Sequence, residues 1–337
     1  MNRIIIFAIV ISASLLLSCK DNRTYKNKLN VHYENLEPQV LEIKSYNSAL
    51  FELDTANFEE ELKSIQNEYS LFIGDNLDNP AAITYIRNFV TDTFCIRINE
   101  MVEQKFKDKS SLNKDIRSVY QRFRYYYPEI ELPQPYFYIS GIDYETPTVI
   151  VAPEGVAISL DYYLTNDDKI YDYVGMPRFR SLRCQPLYIT RDLAMSLYGT
   201  FVEKAHRQKD VLSEMIYLGK KYYFVEAMNP NLPDSVLLGY SSKQMQWAYD
   251  HEGDVWASIV GNDMLYAKGL DVFRNLFGDG PFTQAFSNDA PARLGEFIGL
   301  QIVRSFMTNN EMSLQDLMLN DDVQQIFQSS MYKPLKQ

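Results

Sequence analysis

Over residues 57–72 the apolar side chains of Phe58, Leu62, Ile65, Tyr69 and Phe72 return every three or four positions between polar ones, the period of one helix face. Glu59, Glu60 and Glu61 fall in the first turn of that stretch, where the unpaired N–H groups favour negative charge. The same period predicts helices over 99–106 and 112–125, until Pro128 and Pro133 break it. The pattern then shortens. Residues 136–139, 148–151 and 156–160 are brief runs rich in aromatic and β-branched side chains, with Gly141-Ile142-Asp143-Tyr144 between the first two, and they predict a small sheet. Beyond Pro186 the helical period resumes over 190–201, 211–228, 241–265, 294–307 and 313–319. The fold class this implies is α+β, mostly helical with a small central β-sheet.

The first residues follow a different logic. A basic start at Arg3, an apolar stretch over 4–17 and the ending Leu16-Leu17-Ser18-Cys19 make the three parts of a secretory signal closed by a lipobox. The apolar run is shorter than the roughly 20 residues a spanning helix needs. Residues 1–18 are therefore expected to be a signal peptide, Cys19 the lipidated residue, 19–30 a polar tether, and 31–337 a single globular domain. Several acyl chains on Cys19, at about 0.8 kcal/mol per buried methylene, would anchor the protein stably to a membrane. The expected location is the cell envelope, with the domain facing the periplasm. Lys20-Asp21-Asn22 has part of a Lys-plus-acid surface-export tag, so exposure at the cell surface stays open.

Composition narrows the partners. The chain carries 33 Lys and Arg against 44 Asp and Glu, a formal net charge of −11. That balance gives no basic footprint for nucleic acid and no polybasic patch for anionic lipid, so the lipid itself must do the anchoring. Besides Cys19 only Cys95 and Cys184 remain, too far apart for a metal-ligand motif; a disulfide and two buried thiols are equally compatible with the sequence. With 25 Tyr and 19 Phe there is ample aromatic surface for a large core.

A series of strings resembles the gliding-motility lipoprotein GldB family of Bacteroidetes. They are Tyr138-Ile139-Ser140-Gly141-Ile142-Asp143-Tyr144-Glu145-Thr146-Pro147, Ala157-Ile158-Ser159-Leu160-Asp161-Tyr162-Tyr163-Leu164, and Met215-Ile216-Tyr217-Leu218-Gly219-Lys220-Lys221. Trp247 with Glu252 and Trp256, Gly295-Glu296-Phe297-Ile298-Gly299, Ile302-Val303 and Tyr332-Lys333-Pro334 complete the set. No single string is specific; their order, together with the lipobox, is. The resemblance implies a lipoprotein of a surface-gliding apparatus working beside other envelope or gliding-machinery proteins, with envelope maintenance or assembly as the broader reading.

The layout is also similar to that of zinc peptidases in which a small sheet precedes a helix bearing His-Glu-x-x-His, so a degenerate zincin-like architecture is an alternative description of the fold. A catalytic zinc needs two histidines four apart with a glutamate beside the bound water. The corresponding helix, 190–201, opens Thr190-Arg191-Asp192 with a potential cap at Thr190 and holds no histidine. His32, His206 and His251 are far apart. Asp250, Glu252 and Asp254 beside His251 could attract a cation, though a solvated acidic helix start explains them better. Gly278-Asp279-Gly280 lacks the spacing of a phosphate cradle, and no Gly-x-Ser-x-Gly elbow is present.

The expectation is thus a non-enzymatic binding or scaffolding lipoprotein with no cofactor, no metal site and no catalytic residue. A metal-dependent hydrolase with noncanonical ligands, or a surface glycan-binding lipoprotein, are the alternatives. The loop carrying Asp143, Tyr144 and Glu145 is the candidate partner contact, because it joins β-prone runs and mixes glycine, acid and aromatic residues; a plain turn around Gly141 is the competing reading. Glu296 is expected in a helix-start contact or in a buried ion pair with an arginine such as Arg293 or Arg304, Gly299 at a close helix contact, and at least one of Trp247 and Trp256 in the core.

Overall fold

The computed structural model describes residues 24–33, 36, 42–74, 77–164, 169–206, 209–283 and 286–334. The expected signal peptide and Cys19 lie outside the described residues. Among those described, no helix is long and apolar enough to cross a membrane.

The fold is α+β, helices surrounding one four-stranded sheet. Strands β1 (Lys44–Ser45), β2 (Pro135–Tyr138), β3 (Val149–Ala152) and β4 (Gly155–Ser159) lie in the order β1-β2-β4-β3. β1, β2 and β4 are parallel, with Tyr136 beside Ala157 and Phe137 beside Ile158, and β3 closes the sheet antiparallel to β4, with Val149 beside Ile158. Three of the four strands fall within a residue of the predicted runs; β1, two residues long, is below what alternation can reveal.

Successive side chains of a strand point to opposite faces, and β2 uses both. Tyr136 and Tyr138 pack into a smaller apolar cluster with Tyr46, Leu50, Phe58, Leu62 and Ile73 from the short helices Tyr46–Phe51, Phe58–Gln66 and Ser70–Ile73, while Phe137 enters the large core. That core is organised by two helices, Val211–Met228 and Leu294–Asn309, buried nearly all round. Their backbones meet at two glycines. A β-carbon on Gly219 would stand 2.3 Å from the Gly299 carbonyl oxygen, and one on Gly299 only 1.9 Å from that of Met215, so the close contact expected at Gly299 is present.

Several expectations are corrected. The stretch 57–72 is broken after Gln66, and 241–265 is divided into Ser242–Asp250, Glu252–Gly261 and a short 3-10 turn at Met264–Tyr266. Trp247 and Trp256 therefore stand on different helices, each half-buried against the core. Thr190 is no cap: a 3-10 turn, Pro186–Tyr188, runs straight into the helix Ile189–Leu197, and Thr190 accepts a hydrogen bond from Asn229 instead. The fold also begins earlier than residue 31. Thr24–Leu29 is a helix whose Tyr25 and Leu29, four apart, are buried in the main core. Arg122 donates to the Leu29 carbonyl at 3.0 Å and Lys28 to that of Asn310 at 2.7 Å, fastening it further. The part of the expected 19–30 tether that is described, Thr24–Leu29, is thus a packed helix of the domain.

Candidate functional site

β4 ends at Ser159, and the chain turns at once into the 3-10 turn Leu160–Tyr163, which carries Asp161 inward beside the loop after β2. Asp161 is fully buried and accepts four hydrogen bonds: from the backbone N–H groups of Ser140 (2.9 Å) and Ile142 (2.7 Å), and from the hydroxyls of Ser140 (3.1 Å) and Ser159 (2.6 Å). Gly141 and Ile142 both take left-handed backbone angles, φ 76° and 58°, and this turns their neighbouring N–H groups onto one carboxylate. For Ile142 the conformation is costly; the buried carboxylate offsets it. Burial pushes the Asp161 carboxyl up, against the pull of the four donors.

The loop so fixed is the candidate contact. Asp143 does not reach outward alone: its carboxylate accepts from the Thr146 hydroxyl at 2.7 Å and the Glu145 N–H at 3.2 Å, closing a turn. Asp143 and Glu145 are exposed, and Tyr144 is half-buried at the rim of a cavity.

That cavity, of about 300 Å³, is walled by Tyr144, Thr148, Tyr162, Tyr163, Cys184, Arg180, Arg191 and Asp192, among others. A second, of about 280 Å³, is walled by Arg178, Phe179, Leu182, Tyr188, Tyr240 and Arg293. Arg183 and Asp279 line both, and their ion pair at 2.8 Å forms the partition between them. Together the two make one cleft with five arginines and two carboxylates on its walls, in a chain whose overall charge is −11.

Each carboxylate there is already held. Asp192 accepts from Arg191 at 2.6 Å and the Tyr163 hydroxyl at 2.8 Å, while Arg191 also donates to the Leu237 carbonyl at 2.9 Å. Asp279 pairs with Arg183 and, at 3.2 Å, with the Nε of Arg293. Burial raises the Asp279 carboxyl, but the charge and hydrogen bond of Arg183, with Arg293 beside them, outweigh it and hold the group below its ordinary value. Behind the wall Arg293 reaches Glu296 at 3.0 Å and the Leu238 carbonyl at 2.7 Å, and Tyr222 donates to Glu296. The expected ion pair of Glu296 is therefore with Arg293. Arg304 belongs to a separate network, giving its five N–H groups to Glu226, Asp234 and Gln301 at 2.7–3.1 Å, beneath the ring of Tyr25. Burial pushes the Cys184 thiol up to about 12, so the sulfur in the cavity wall is protonated at neutral pH.

Arg191 and Asp192, at the start of the histidine-free helix Ile189–Leu197, thus meet Tyr144 in one cavity. The other features stay outside it. His251 stacks on Trp247 with ring centres 4.2 Å apart, and His206 on Tyr217 at 3.8 Å. Glu252 accepts from Tyr332 and Gln301. No group of three or more His, Cys, Asp or Glu among the described residues is arranged to hold a metal ion. Cys95 and Cys184 are both free and buried. Sequence reasoning missed Arg178, Arg180, Arg183 and Asp279; the signal was the run Arg178-Phe179-Arg180-Ser181-Leu182-Arg183, three arginines in six residues of an acidic chain.

The molecule is thus a mostly helical α+β domain with an arginine-walled cleft between its sheet-side loop and its helical body. Its sequence matches the family model described as gliding motility protein GldB over residues 26–334, and the chain belongs to that family. Searches of curated proteins and of solved structures find no match.

Proposed function

We propose that this GldB-family protein is a non-enzymatic, lipid-anchored component of the cell envelope, held through Cys19, that docks another envelope protein in the arginine-walled cleft. The observation that carries the reading is the state of the cleft's acids. A general base or a nucleophilic carboxylate needs an oxygen free to meet substrate, whereas Asp192 and Asp279 are each clamped by an arginine. A protonated Cys184 supplies no nucleophile either. Arginine and tyrosine, by contrast, are the side chains that dominate protein recognition sites, and Arg180, Arg183, Tyr144 and Tyr162 supply them. The family's gliding role supports an envelope setting and neighbours of the same apparatus.

The test is purification of the tagged protein from membranes after mild crosslinking. The reading expects a reproducible envelope partner that is lost when Arg183 is changed to Glu and when Cys19 is changed to Ala. Retention of the partner by Arg183→Glu removes the cleft from the interaction, and recovery of no partner contradicts docking altogether.

A further inference from the structure

The cleft's charge runs against that of the molecule. A chain at −11 repels anions over most of its surface, yet Arg178, Arg183 and Arg293 line one of two adjoining cavities and Arg180, Arg183 and Arg191 the other, with two carboxylates among them. Arg178 and Arg180 are solvent-exposed on its walls, and among the described residues the Arg180 guanidinium has no carboxylate within ion-pair distance. The walls also carry aromatic and apolar side chains, Tyr144, Tyr162, Phe179, Leu182, Tyr188 and Tyr240, beside neutral polar ones such as Gln185, Ser241 and Thr148.

Resting on the docking reading above, we infer that the occupant is an acidic peptide segment of a partner protein, its Asp or Glu carboxylates taken by Arg178, Arg180 and Arg183. Two small chambers sharing one wall suit successive side chains of an extended chain better than a single compact ligand, since each alone is at the lower limit of small-molecule sites. The aromatic walls suit the apolar residues interspersed in such a segment. Guanidinium groups bind carboxylates by paired, parallel N–H donors, which gives geometric selectivity as well as attraction. Asp279 already places one carboxylate between two of these arginines. Its carboxylate lies at the junction of both chambers, 2.8 Å from Arg183 and 3.2 Å from Arg293 Nε, with its side chain 37 % exposed. It is the internal stand-in for a ligand carboxylate, and a partner's acid competes with it for Arg183.

The experiment uses the full mature protein in detergent and fluorescence anisotropy of a labelled ten-residue peptide alternating Glu and Tyr, beside the same peptide with Gln for Glu. The Glu peptide is expected to bind at least tenfold more tightly than the Gln peptide. The double variant Arg178→Glu, Arg180→Glu, both exposed positions, is expected to weaken it at least tenfold, whereas Lys63→Glu on an exposed helix outside the cleft changes it less than twofold. Asp279→Asn, which releases Arg183, is expected to tighten it about fivefold; weakening by that variant overturns the stand-in role. Equal binding of the two peptides, or no effect of the double variant, overturns the proposal. So does preferential binding of glycerol 3-phosphate, which would point to a lipid headgroup. If the Glu peptide fails while Arg183→Glu still loses the crosslinked partner, the acidic class is overturned and docking at the cleft stands; if Arg183→Glu keeps that partner, both fall.

Discussion

Asp161 holds the loop after β2 with four uncharged donors and is fully buried. Removing its acceptors strands two backbone N–H groups that Gly141 and Ile142, by their left-handed angles, aim at one point. Asp161→Asn is expected to cost about 2–4 kcal/mol, because an amide keeps one acceptor oxygen and turns a donor toward donors. Urea unfolding of the two proteins measures it, and a difference below about 0.5 kcal/mol would show that the loop does not depend on this carboxylate. The sequence displayed both halves of the device, Ser140-Gly141-Ile142 and Ser159-Leu160-Asp161, but not that they meet, since 19 residues separate Ile142 from Asp161. The cleft was hidden for the same reason: Arg183 and Asp279 are 96 residues apart. Only local chemistry, such as the absence of histidine from 190–201, could be read directly.

At the scale of elements, legibility followed the amount of apolar pattern. The long helix Val211–Met228 and the three longer strands were readable because each is a run dense in apolar residues, long for the helix and short and β-branched or aromatic for the strands. Thr24–Leu29 was not, since only Tyr25 and Leu29 interrupt a polar stretch, and their burial depends on core surface contributed from far along the chain. The contact between Val211–Met228 and Leu294–Asn309 makes the sharpest prediction here. Gly299→Ala puts a methyl 1.9 Å from the Met215 carbonyl oxygen, where backbone alone could yield, and is expected to cost about 3 kcal/mol. Gly261→Ala, at the end of Glu252–Gly261 with nothing within 4 Å of the new carbon, is expected to be neutral or stabilising by up to about 1 kcal/mol. Thermal melts of both variants check the contrast. The C-terminal segment is held by a half-buried group: desolvation raises the Glu252 carboxyl even though Tyr332 and Gln301 donate to it. A raised carboxyl contributes stability that is present at low pH and lost as pH rises through its folded value. Glu252→Gln, which keeps an acceptor for Tyr332, is therefore expected to raise the melting temperature at pH 7 and to leave it unchanged near pH 4.

At two carboxylates that tie distant parts of the molecule together the balance has the other sign. Burial raises Asp279 and Asp234, but Arg183 and Arg293 beside the first, and Arg304 with Tyr249 beside the second, win and hold both below the ordinary carboxylate value of 3.8. Their contribution is complete above that value and is lost as pH falls through the lowered ones. Melting temperature should accordingly drop below about pH 4, less steeply in Asp279→Asn; an unchanged acid slope in that variant would mean the partition of the cleft adds nothing to stability. The fold and family were legible in the sequence because order and periodicity survive along a chain, whereas the cleft exists only after the loop at Tyr144, the turn Leu160–Tyr163, residues 176–192 and the loops at 239–241 and 279–293 have been brought together. The most direct test of that surface is site-specific photocrosslinking in living cells, with a photoreactive residue placed at Leu182 in the cleft wall and, as a control, at exposed Leu270 outside it. A single envelope protein captured from Leu182 and not from Leu270 is the expected result; the same products from both positions, or none from Leu182, would contradict the account.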